Sequence, residues 1–262
     1  MSNPSRDMSF LDHLEELRWH IIRSTISVLL VAIVAFLAKD IIFDQIIFGP
    51  KKGDFISYQV FCSISQSFGG DAFCFDELPF RVQSRTVSGQ FSAHLWTSIL
   101  AGFILAFPYV VYEFWKFISP GLYKKEKEGA RGFIFISSTL FFIGVLFGYY
   151  LIVPLSINFL GNYQVSPLVA NNINLSSYIS IVSSITLSCG IIFQLPILVY
   201  FLSKFGIISS LFMKKYRSHF IIISLIFASI ITPPDISSQI LVTIPLLFLY
   251  EISIIVSKYV NE

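Results

Sequence analysis

The sequence predicts an all-α, multi-pass membrane protein, on three observations. Charged residues make up only 13% of the chain and hydrophobic ones 55%, with a mean hydropathy of +0.74, whereas a soluble domain carries about 25% charged residues. The apolar residues are gathered into runs close to the ~20 residues that a helix needs to cross the hydrocarbon core. Short polar, turn-forming segments separate those runs. Without an internal repeat or a low-complexity linker, residues 1–262 read as one membrane domain of six transmembrane helices. The net charge of +2 is neutral on nucleic acid, but no Lys/Arg-rich tract of the kind that grips phosphates is present, so no nucleic-acid partner is expected. The first residues carry an acid and lack a short apolar core with a cleavage site, so no cleavable signal peptide is expected.

The chain opens on an amphipathic helix. Ser9 followed by Asp12 is a helix-start signature. Leu11, Leu14, Leu17 and Ile21 recur at helical spacing as one apolar stripe, and Asp12, Glu15, Glu16 and Arg18 take the other faces, with Glu15 and Arg18 near enough to pair. This helix would lie on the membrane surface and run into span one, about 21–40, which closes on Lys39 and Asp40. The polar stretch 44–90, with Gly49-Pro50 and Gly69-Gly70, is expected to be a long extramembrane loop. Spans two and three are placed at 91–112 and 132–153, followed by a polar connection over 154–174. Span four covers 175–203 despite Pro196 inside it.

The last two spans, 218–232 and 236–256, differ from the rest. The apolar run 219–231 has 13 residues, roughly 20 Å at about 1.5 Å per residue. Gln239, Pro245 and Glu251 interrupt the other, and 232–235 leaves room only for a tight turn. A hairpin of short helices five and six, beside a thinned or polar-tolerant patch of bilayer, is expected.

Positive charges set the orientation. With the amino terminus inside, the inner segments hold Arg6, Arg18, Arg23, Lys116, Lys124, Lys125, Lys127, Arg131, Lys204, Lys214, Lys215, Arg217 and Lys258. The outer ones hold Lys51, Lys52, Arg81 and Arg85, all in the long loop. Both termini should be cytoplasmic. Cys62 and Cys74 both fall in that outer loop, where a disulfide between them would tether it in an oxidising compartment. Two cysteines without histidine partners are too few for a zinc site, and no metal or other cofactor is expected.

Chemistry-bearing residues are sparse. No phosphate-cradling glycine loop, histidine cluster or pair of intramembrane aspartates is present, and nothing orients His94 as a base for Ser98, so an enzyme is not expected. Glu126 in the first inside loop faces the same aqueous side as Glu15 and Glu16, and such a set of carboxylates suits the planar fork of arginine. Gln194, near the middle of span four, either repairs the backbone that Pro196 frees or faces a wet or protein-lined cavity. Glu251 in the last span is costly to bury and lies near the cytoplasmic end. Asp235 fits an N-cap for the helix starting at Ile236, and Gln239 flanks the same turn.

Four motifs in register resemble the TatC family, the multispanning receptor of the twin-arginine protein translocase. They are His13-Leu14-Glu15-Glu16-Leu17-Arg18, Phe117…Pro120-Gly121-Leu122-Tyr123…Glu126, Phe142…Gly144…Phe147…Tyr149…Pro154, and Thr232-Pro233-Pro234-Asp235…Gln239. The resemblance covers nearly the whole chain. It implies a subunit of the bacterial inner membrane that binds twin-arginine signal peptides at its cytoplasmic face and takes part in exporting folded proteins, energised by the proton gradient. The acids at the receptor positions are Glu16 and Glu126, with Arg18, Phe117, Pro120 and Tyr123 shaping or supporting the site. The thin hairpin would be where single-spanning partner subunits dock, within a complex holding more than one copy of this chain. Two departures stand out: Gln194 occupies a position that is Glu in many members, and the first outer loop is long. The alternative, a secondary transporter of a small solute using Gln194 beside Pro196, lacks an internal repeat pairing two broken helices.

Overall fold

A computed structural model describes residues 10–67, 74, 80–119, 130–166, 168, 171–232 and 236–261. Ten α-helices carry the described fold: α1 Phe10–Leu37, α2 Ile56–Ser67, α3 Gly89–Ile118, α4 Ala130–Phe147, α5 Val153–Asn162, α6 Leu175–Ile192, α7 Leu195–Lys204, α8 Ser210–Lys215, α9 Arg217–Ile231 and α10 Ile236–Asn261. Two three-residue strands, β1 Arg81–Gln83 and β2 Asn172–Asn174, pair in parallel with Val82 opposite Ile173. Five helical stretches are long and apolar enough to cross a membrane, and Arg217–Ile231 is a shorter apolar helix. Their large apolar side chains are often exposed, as at Leu30, Val34 and Leu37 of α1 and Ile222, Phe227 and Ile230 of α9. Lipid, not water, is the solvent such faces tolerate.

Several boundaries differ from those read off hydropathy. The second span continues beyond residue 112 to Ile118, taking Glu113 inside the helix. The connection expected over 154–174 is helical as far as Asn162. Pro154 is accommodated because the backbone widens into a π-helical turn over Gly148–Ile152 just before it, where a proline lacking an N–H and crowding the preceding turn does least harm. Span four is broken at Phe193 and Gln194, and Pro196 sits in the first turn of α7, the position that proline tolerates best. The sixth helix is not short: α10 has 26 residues and runs through Pro245, so shortness belongs to α9, with 15. The polar stretch 44–90 is not plain loop either, since it holds α2 and β1.

Contacts divide the chain into two compact units, residues 1–38 with 95–139, and residues 39–94 with 140–262. In the first, α1 meets α3 closely because Gly102 has no side chain. A Cβ there would stand 2.7 Å from the Val28 carbonyl oxygen and 2.8 Å from Ala32 Cβ, a small-residue contact of the kind that lets membrane helices approach. Trp115 stacks on Phe133 at 4.5 Å.

In the second unit α4 lies against α6 through Gly144, Gly148 and Gly190. Three tyrosine hydroxyls serve carbonyls that follow α1: Tyr149 donates to Ile46 at 2.7 Å, Tyr178 to Ile47 at 2.9 Å and Tyr58 to Pro50 at 2.7 Å. These carbonyls lie in a π-helical turn over Ile41–Ile47 and the 3-10 turn Gly49–Lys51, where backbone bonding is irregular. Burial pushes the Tyr58 hydroxyl far above its ordinary pKa, so it stays a donor. Replacing Tyr178 with Phe is expected to cost about 1–2 kcal/mol, the loss of a donor to a buried carbonyl. Denaturation of the detergent-solubilised variant against wild type reads this directly; equal midpoints would exclude it.

The expected Cys62–Cys74 disulfide is formed, linking α2 to residue 74. Farther along, α7, α8 and α10 share a core of Val199, Met213, Tyr250 and Ile254, with Phe220 stacked on Tyr250 at 3.9 Å and the Tyr250 hydroxyl donating to the Met213 carbonyl at 2.8 Å.

Candidate functional site

The amino-terminal motif and the end of α3 meet within the first unit. Helical spacing places His13, Glu16 and His20 on one face of α1, three and four residues apart. On α3, Glu113 and Phe117 are one turn apart. The His13 ring stacks on Phe117 with centroids 4.4 Å apart, and His20 approaches the same ring edge-on at 6.1 Å. One turn deeper, His20 Nδ1 is 2.6 Å from Glu113 Oε2, with the two side chains 10% and 2% exposed. Arg23 Nη1 stands 3.9 Å from the same oxygen, and Tyr109 is a further hydrogen-bonding neighbour. A carboxylate this buried is tolerated because it is paired and hydrogen-bonded.

Glu16 is half-buried, and its Oε2 is enclosed without a hydrogen-bond partner among the described residues. Arg18 pairs with Glu15 at 3.4 Å as the spacing suggested, but both are exposed, so the pair adds little to stability. Lys116 lies 4.4 Å from the Tyr112 ring. Of the residues expected to shape the site, Glu16 and Phe117 belong to this face, Arg18 points away from it to Glu15 and Trp19, and Pro120, Tyr123 and Glu126 lie outside the described residues. Glu113 and His20 had no assigned role in the sequence reading. The available signal was a lone acid in Tyr112-Glu113-Phe114-Trp115, one helical turn before Phe117.

The remaining candidates lie in the second unit. Gln194 occupies the N-cap position of α7 and lines an apolar groove of about 320 Å³ with Leu198, Phe220, Ser224, Phe227 and Leu246. Gln239 donates to the Leu225 carbonyl at 3.1 Å, tying α10 to α9. Glu251 accepts from Arg217 at 2.7 Å, tying α10 to the start of α9, with both side chains about half exposed. Asp235 lies outside the described residues. No cluster of three or more His, Cys, Asp or Glu able to hold a metal occurs among the described residues.

Five apolar helices of spanning length and a shorter apolar one, among the described residues, define a multi-pass, predominantly helical membrane protein. Residues 12–245 match the family model described as "TatC: Sec-independent protein translocase protein (TatC)". The chain is 44% identical over 264 residues to the Sec-independent protein translocase protein TatC of Blattabacterium sp. subsp. Periplaneta americana (strain BPLAN), covering 100% of this chain and 99% of that one. It is 33% identical over 252 residues to the protein of that name from Aquifex aeolicus (strain VF5), covering 96% and 95%. A crystal structure described as that of the twin arginine translocase receptor TatC superposes with a TM-score of 0.71 at 32% identity, covering 95% of this chain and 100% of that one. This chain belongs to the TatC family. It is a subunit of the Sec-independent protein translocase, a transport component and not an enzyme.

Proposed function

We propose that this subunit is the receptor for twin-arginine signal peptides, and that it binds them through carboxylates at its cytoplasmic face. The observation that favours this reading is Glu16. It carries an enclosed carboxylate oxygen without a partner among the described residues, beside the aromatic stack of His13 on Phe117. A guanidinium supplies the planar pair of donors that such an oxygen lacks, and an ammonium does so less well. Glu126 supplies the second acid, and Arg18, Phe117, Pro120 and Tyr123 shape or support the site. Both termini are cytoplasmic in this reading, and the membrane is the bacterial inner membrane, whose proton gradient drives export by the assembled complex. Single-spanning partner subunits dock at the hairpin, beside the apolar groove lined by Gln194, Leu198 and Phe227. More than one copy of the chain takes part in the complex.

The test is binding of a signal peptide containing Arg-Arg, and of its Lys-Lys variant, to the purified protein in nanodiscs. Wild type should prefer Arg-Arg, and Glu16→Ala and Glu126→Ala should each weaken it by about tenfold, the cost of one charge-assisted hydrogen-bonded pair. A well-folded protein indifferent to both arginines and both acids would end this reading for the isolated subunit.

A further inference from the structure

We propose that Glu113 is a positioning residue for the signal-peptide site: through His20 it holds α1 at the rotation that presents the Glu16 carboxylate. The inference rests on the receptor reading above. Two contacts pin one face of α1 to α3, His13 on Phe117 at 4.4 Å and His20 on Glu113 at 2.6 Å. Glu16 lies between them in sequence and shares their face, three residues after His13 and four before His20. Successive residues turn about 100° around a helix of 3.6 residues per turn, so a small rotation of α1 would swing the Glu16 carboxylate off that face. The stack alone resists rotation weakly, because an aromatic contact tolerates sliding. A short hydrogen bond to a buried charge is directional.

The burial of Glu113 is hard to account for as a fastener alone. Gly102 already brings α1 against α3 at Val28 and Ala32 without any charge. A carboxylate that is 2% exposed inside an apolar helix is costly unless its partners are held in place. Here the partners are His20 and Arg23 from α1 and Tyr109 from α3. Two of those three partners thus come from the turns of α1 that follow the motif, where a fixed rotation matters to ligand binding. Glu113 itself is too enclosed to meet a peptide, so its influence runs through His20.

The test measures binding of an Arg-Arg signal peptide to the full chain in nanodiscs, with the Lys-Lys peptide as reference. Glu113→Ala should weaken binding about tenfold, the effect of losing one buried charge-assisted bond. Glu113→Gln keeps an acceptor for the His20 Nδ1–H and should stay within about threefold of wild type. In a Glu16→Ala background, Glu113→Ala should cost nothing more, because its effect passes through Glu16. Should Glu113→Ala fail to fold, His20→Ala carries the same expectations. Additive losses in the double variant, a Gln variant as weak as the Ala one, or an Ala variant equal to wild type would each overturn the proposal. If wild type itself does not distinguish Arg-Arg from Lys-Lys, the receptor reading fails first; if it does and the Glu113 variants are indifferent, only the positioning role falls.

Discussion

Exchange of Gly144 for valine should largely abolish the folded second unit. A Cβ at Gly144 would stand 2.6 Å from the Cys189 carbonyl oxygen and 2.8 Å from Phe193 Cβ and Cγ. The first of these is backbone and cannot rotate away, so α4 and α6 must separate. Separation would also loosen Gly190 against Phe141 and Gly148 against Cys189, which share the same seam. In lipid, helices associate by close packing rather than by hydrophobic exclusion, so a lost seam is not offset elsewhere. Overpacking typically costs ~1–3 kcal/mol, and a branched side chain forced against backbone should reach or exceed the upper end. Gly148→Ala should be milder, because it adds a single methyl whose nearest backbone neighbour, the Ile185 carbonyl oxygen, is 3.2 Å away rather than 2.6 Å, with Cys189 Cβ at 2.9 Å left to yield. Thermal unfolding in detergent, followed by the yield of monodisperse protein, ranks the two. A Gly144→Val protein as stable as wild type would mean that the helices do not pack as described.

Glu16→Lys should eliminate export of a folded substrate bearing a twin-arginine signal, without loss of protein from the membrane. Removing the acid forfeits one charge-assisted pair; reversing it also sets an ammonium against an arginine pair. Together these should weaken peptide binding by more than about a hundredfold. Folding should survive, because Glu16 is half-buried and makes no hydrogen bond through Oε2 among the described residues. Glu16→Gln, which keeps the acceptor but not the charge, should retain partial export. The measurement is the fraction of folded reporter reaching the outer side, normalised to the amount of this subunit in the membrane. Full export by the Lys variant would remove Glu16 from the site.

What could be read directly from the residues follows from the solvent. A bilayer excludes unpaired backbone polar groups, so it demands helices and writes their positions into the hydropathy. The five long apolar stretches, the short apolar helix at Arg217–Ile231 and the helical start around Glu16 were legible for that reason. The Glu15–Arg18 pair was legible too, because spacing of three along one helix is a local property. Helix ends were not. Hydropathy marks the apolar slab, whereas hydrogen bonding continues past it to Ile118, Asn162 and Asn261. The π turn before Pro154 and the break at Phe193 and Gln194 were likewise hidden, since each is a compromise between a proline and the helices around it.

The pairing of Glu113 with His20 had no trace in either segment alone. The two residues are 93 positions apart, and each has an ordinary local setting, an acid beside aromatics and a histidine after a tryptophan. Composition and periodicity established that helices cross a membrane and which faces are polar. Which polar residues share a buried contact depended on the close approach of α1 and α3 at Gly102 and on the rotation of each helix. Those are properties of packing between distant segments, and a pattern confined to one segment does not contain them.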